Sequence, residues 1–149
     1  MWWKRTILLA PVTSLAVASA ILPAQSLAAA ALGGPITFRA TETLKQPGPA
    51  PHAVSGIGHF TISGAITEKG TVTDYRRQKG NIAVVHRVAV GKRGTIAFVL
   101  TINVSTGAET WTIASGTKAY KGLHGKGKQV LDAWYNTPAT FVMKGTVSQ

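Results

Sequence analysis

The sequence predicts an all-β fold, with about eight antiparallel strands forming a sandwich or a closed barrel. Three observations carry this. Apolar and polar residues alternate with period 2 through most of the chain after residue 31. Short glycine-containing turns separate these runs at roughly 8–14-residue intervals. No run has the helical period, and no strand–helix–strand rhythm appears, which argues against a doubly wound or TIM-type fold.

The elements follow in order. Ile36 to Leu44 (ITFRATETL) alternates and is rich in threonine. Gln46 to Pro51 carries prolines at 47, 49 and 51 and must be a loop, because proline cannot donate to a strand ladder. Val54 to Ile66 puts Phe60, Ile62 and Ile66 on one face, and Glu68-Lys69-Gly70 is expected to turn. Thr71 to Lys79 is a polar strand, and Gly80-Asn81 reverses the chain into Ile82 to Val90. After Gly91 to Gly94, Thr95 to Val104 shows the cleanest alternation, with Ile96, Phe98, Leu100, Ile102 and Val104 together. Ser105 to Ala108 turns into Glu109 to Ser115, the stretch Gly116 to Gly127 is glycine-rich, and Gln129 to Tyr135 and Ala139 to Ser148 close the domain.

The chain has 149 residues and a formal net charge of +11. Lys4 and Arg5, the uncharged run Ile7 to Leu22 and the small residues Ser26 to Ala30 form the basic, apolar and small order of a secretory signal peptide. Residues 1–30 are therefore expected to be a signal peptide, and residues 31–149 a single β domain. The expected location is secreted, periplasmic or cell-wall associated. The apolar run is shorter than the ~20 residues that cross a bilayer, so no membrane span is expected after cleavage. Cysteine is absent, which excludes disulfides, thiol catalysis and Cys-bound metal. Such a domain must be held by its core, by closure of its sheet or by self-association. The basic balance fits anionic surfaces. The cations look scattered among strand ends and turns, so no specific nucleic-acid partner is expected.

The inventory for chemistry is thin. Gly122 to Gln129 approaches a phosphate-binding loop but has Gln129 at the hydroxyl position and no helix behind it. No zinc-protease, paired-histidine or nucleophile-elbow motif occurs, so neither metal nor cofactor is expected. Parity leaves two candidates for proton transfer. Glu109 shares a face with Trp111 and Ile113, and His86 shares one with Ile82, Val84, Val88 and Val90. Each could instead be solvated or structural. Trp111, Tyr75, Phe98, Trp134 and Phe141 are candidates to line a cavity, with aromatic core packing as the alternative and, for Tyr75, solvent. Asp74 is a candidate to pair with an arginine.

Trp111 to Gly127 (WTIASGTKAYKGLHGKG) resembles the W-x-I-x-x-G-T-G-x-Y-x-G-x-x-G-x-G segment of small barrels of the allene oxide cyclase and dirigent type, with Lys118 where a glycine is usual. Gly58 to Asp74 is similar to their G-x-F-x-x-x-G-x-I-x-x-x-G-T-V-x-D pattern, and Phe141 to Val147 to their ending. The resemblance spans roughly residues 36–148 and implies an eight-stranded antiparallel barrel with a cavity, assembled as a homodimer or homotrimer. The expected function is an exported barrel with a cavity for a small apolar or aromatic ligand. The alternative is a cyclase or isomerase that guides ring closure or coupling by confinement. A third expectation is adhesion to anionic surfaces through net charge.

Overall fold

The computed structural model describes residues 33–45, 53–133 and 136–149; the expected signal peptide and the proline-rich loop lie outside them. Eight strands, β1 (Gly33–Lys45), β2 (Ala53–Gly64), β3 (Glu68–Lys79), β4 (Ile82–Gly91), β5 (Gly94–Asn103), β6 (Ala108–Gly116), β7 (His124–Ala133) and β8 (Ala139–Ser148), pair in sequence order. β1 also pairs with β8, from Gly33↔Ser148 to Glu42↔Ala139, so the sheet closes into an antiparallel barrel with no free edge. The fold is the eight-stranded barrel that the alternation and the resemblance led us to expect.

Alternation decides what fills the interior. β5 buries Ile96, Phe98, Leu100 and Ile102, and β1 buries Ile36, Phe38, Ala40 and Glu42. Phe38 stacks on Phe60 at 5.3 Å and meets Phe98 edge-on at 5.4 Å, and Phe98 meets Trp111 edge-on at 5.7 Å. One end of the barrel carries the β2–β3, β4–β5 and β6–β7 turns. It is capped by Ile66, Leu123 and Tyr120, the last from a 3-10 turn at Lys118–Tyr120. The Tyr120 hydroxyl donates to Glu68 Oε2 at 2.8 Å, and the backbone N–H of Arg93 donates to the same oxygen at 3.0 Å. Glu68 thus begins β3, and the reversal expected at Glu68 to Gly70 falls one step earlier, where Gly64 (φ +108°) ends β2. Lys118 has φ +52°, a left-handed conformation that favours glycine.

The glycine-rich stretch serves packing. Gly127 of β7 faces Gly145 of β8, and the Trp111 indole lies across both, its Nε1 donating to the carbonyl of Lys144 at 3.3 Å. A methyl group at residue 127 would stand 2.7 Å from Trp111 Cε2 and against the Lys144 carbonyl. Gly127→Ala is therefore expected to cost about 1–3 kcal/mol as overpacking, read as a lower urea midpoint. An unchanged midpoint would show that the indole can move aside.

Candidate functional site

The barrel interior is not wholly apolar. Its wall directs inward the five acids of the sequence: Glu42, Glu68, Asp74 and Glu109 share parity with buried neighbours on their strands, and Asp132, past the shift in the β7 ladder, stands opposite buried Phe141 of β8. Two of them, Asp74 and Glu42, stand against one arginine, and Glu109 is linked to it through Gln129. Arg87 of β4 stands opposite Asp74 of β3 in the ladder and is buried. Its Nε and Nη2 donate to the two Asp74 oxygens at 2.9 and 2.6 Å, a bidentate pair. Its Nη1 donates to Gln129 Oε1 at 3.3 Å, and Gln129 Nε2 donates to the Glu109 carboxylate. The guanidinium also lies over the rings of Phe141 at 4.8 Å and Phe38 at 5.3 Å.

Glu42 completes the cluster. Its Oε1 is 3.5 Å from Arg87 Nη2, with both side chains fully buried. Gly56 of β2 makes room for this carboxylate, since a Cβ there would overlap it. Neither Glu42 oxygen accepts a hydrogen bond. Two carboxylates cannot share a hydrogen bond until one is protonated, and the proton falls to Glu42. Burial, then the charge of Asp74, pushes the Glu42 carboxyl up to about 8, against the opposing pull of Arg87. At neutral pH the group is a neutral acid beside an Asp74–Arg87 ion pair. Arg87 is held above its usual range: burial opposes its charge, and Asp74 more than restores it.

The residues singled out from sequence fall in several places. Glu109 points inward, half-buried at the barrel end opposite Tyr120. Phe98, Trp111 and Phe141 are buried core residues, packed against their neighbours. Two expectations are corrected. His86 is exposed on the outer wall, beside Tyr75 and Val99, because the inward set of β4 is Ala83, Val85, Arg87 and Ala89. Tyr75 is 42% exposed on the same outer face. It alternates with Asp74, whose carboxylate takes the inward position. Trp134 lies outside the described residues. Among the described residues no group of three or more acids and histidines is placed to hold a metal ion. No helix among them is long and apolar enough to cross a membrane.

The cluster escaped the sequence reading although its parity was visible. Glu42 follows Ile36, Phe38 and Ala40 at period 2, and Arg87 follows Ala83 and Val85. An outer hollow of about 390 Å³ lies over this part of the wall, lined by Thr41, Glu42, Ile57, Gly58, His59 and Thr71 among others, with the Glu42 carboxyl itself buried beneath it. At Gly58 the wall is backbone only, and β1 approaches so closely that a Cβ would strike the carbonyl of Thr41. Compared with models of protein families, with curated proteins and with solved structures, the chain matches none.

Proposed function

We propose that the protein is an exported small-molecule-binding barrel whose ligand seats at the outer hollow beside Gly58, with the Glu42 carboxyl buried beneath its floor. The observation that carries this is the buried Glu42 carboxyl, 3.5 Å from Arg87 and beside the Asp74–Arg87 pair. Burying three ionisable groups costs folding stability, and apolar side chains of similar volume would serve the core at least as well. Groups with strongly shifted proton affinity concentrate where a protein binds or reacts. The hollow has the size of a small-ligand site and offers apolar Ile57 beside threonine hydroxyls. The likeness to allene oxide cyclase and dirigent barrels supports the same reading.

Ile57 is 55% exposed, so Ile57→Glu blocks the hollow without disturbing the core. A panel of small apolar carbonyl and hydroxyl compounds is expected to raise the melting temperature of the wild type, with ~2.7 kcal/mol of stabilisation at 100 times Kd. Ile57→Glu is expected to lose that response. If no compound stabilises the wild type, or the response survives in Ile57→Glu, this reading fails.

Glu42 also favours a second reading, a cyclase or isomerase. A neutral carboxylic acid near pH 7 can give a proton to a carbonyl or epoxide oxygen and take one back, while confinement holds the reactive conformer. In that reading Glu42, not His86, is the proton-transfer group. Turnover that persists in Glu42→Gln would remove it.

A further inference from the structure

Closure of the barrel sorts charge in a way that the linear sequence hides. With all five acids turned inward, the outer wall carries none. The cations on that wall are also unevenly placed. The outward positions of β4 (Ile82, Val84, His86, Val88, Val90), of β5 (Thr95, Ala97, Val99, Thr101, Asn103) and of β6 from Ala108 to Thr112 include no lysine or arginine. To either side of these strands, β3 presents Lys69, Arg77 and Lys79, and β7, next to β6, presents Lys126 and Lys128, with Lys128 paired directly across the ladder with Lys144 of β8. Like charges facing each other across a strand pair destabilise a sheet, and here no acid stands near to relieve them.

The same strip continues at both ends. Toward the capped end it runs into His124, Lys121 and Lys118, all exposed, and Lys118 occupies its left-handed position at a cost glycine would avoid. Toward the other end the β7 ladder has a bulge between Gln129 and Leu131. A bulge inserts one residue and so turns two consecutive side chains to the same face. Here both are apolar, with Val130 at 56% and Leu131 at 46% exposure, and Leu131 stands beside Val142 of β8. A bulge two residues from Lys128 thus sets an apolar step at the edge of a lysine strip.

We propose that the β7–β8 wall is a docking surface for an anionic lipid bilayer, with Lys126, Lys128 and Lys144 on the headgroups and Val130 and Leu131 reaching the acyl boundary. A soluble polyanion would explain the lysines but has no use for the apolar step. Lysines beside exposed aliphatic side chains match the combination of surface charge and shallow apolar insertion that holds proteins at a membrane surface. A closed barrel touches a flat surface along one strip of its wall, and this strip is about two strands wide.

The test uses the full chain and co-sedimentation with vesicles of phosphatidylcholine, alone or mixed with phosphatidylglycerol. Binding to the mixed vesicles, weakening as salt rises, is expected. Lys126→Gln/Lys128→Gln/Lys144→Gln is expected to lose about 100-fold in affinity, from roughly fivefold per lysine. The charge-matched control on the opposite wall, Lys69→Gln/Arg77→Gln/Lys79→Gln, is expected to lose less than about threefold. Both triples keep residues 1–30, so any contribution of that apolar segment cancels. Val130→Ser/Leu131→Ser is expected to lose about tenfold. All the altered side chains are exposed, and an unchanged thermal unfolding curve checks the fold of each variant. Equal losses in the two triples would mean that net charge alone acts, and would overturn the proposal. So would unchanged binding of the serine variant together with complete displacement by inorganic polyphosphate, which would make the partner a polyanion.

Discussion

Replacing Arg87 by methionine is expected to lower stability by about 3–5 kcal/mol, the cost of stranding a buried carboxylate. For a domain of this size that is a fall of roughly 10–20 °C in melting temperature. Methionine keeps the aliphatic stem between the rings of Phe38 and Phe141 but removes both guanidinium donors to Asp74. Replacing Asp74 instead is expected to cost less. Glu42 stands 3.5 Å from the same guanidinium, and it can ionise to become the counter-ion. The double variant Arg87→Met/Asp74→Leu is expected to recover most of the loss, since an ion pair exchanged for apolar residues is often neutral. Urea unfolding of the three variants checks the order. If Asp74→Leu is as damaging as Arg87→Met, Glu42 does not act as a reserve partner.

The fold was legible because barrel closure and strand pairing write themselves into period 2. β5 could be assigned from Ile96, Phe98, Leu100 and Ile102 alone, since its other face carries threonine, alanine and asparagine with a single valine, Val99. β4 could not, because both of its faces are apolar. Its larger residues, Ile82, Val84, Val88 and Val90, suggested an inward face that would have carried His86. The interior already holds five phenylalanine or tryptophan rings, so it accepts the smaller set Ala83, Val85 and Ala89, and with them Arg87. Size, not hydrophobicity, decides the direction of that strand. The cluster was hidden for a second reason: its members come from β1, β3, β4, β6 and β7, and only the register of a closed sheet brings them together. The bulge at Ala114 of β6, opposite Ala97/Phe98, and the one between Gln129 and Leu131 of β7 each reset parity on their own strand without a sequence mark as plain as a proline, so the outward pair Val130 and Leu131 could not be foreseen.

Wild-type stability is expected to fall as pH rises from about 5 to about 8, and Glu42→Gln is expected to remove the slope. The unfolded carboxyl titrates near 4.5, whereas burial and then Asp74 carry the folded one up to about 8. Below 4.5 both states hold the proton, and the contribution of Glu42 is fully present. Between the two values the unfolded chain releases its proton and the folded chain keeps it, so stability drops by ~1.4 kcal/mol per pH unit. Above about 8 both are ionised and the loss is complete, about 3–5 kcal/mol in all. Glu68 works in the opposite sense and a different window. Burial pushes its carboxyl up, but the backbone N–H of Arg93, the Tyr120 hydroxyl and the N–H of Lys69 outweigh this and hold it below the usual range. Its contribution is lost only as pH falls below 4.5. Glutamine keeps the shape of protonated Glu42 and can donate to Asp74 as the acid does, so the variant should match the wild type near pH 5 within about 1 kcal/mol. By pH 9 it should be the more stable protein by several kcal/mol. Urea unfolding at unit steps from pH 5 to 9 reads both curves. A flat wild-type curve would mean that Glu42 is ionised throughout, and the neutral acid on which the proton-transfer reading rests would not exist at pH 7.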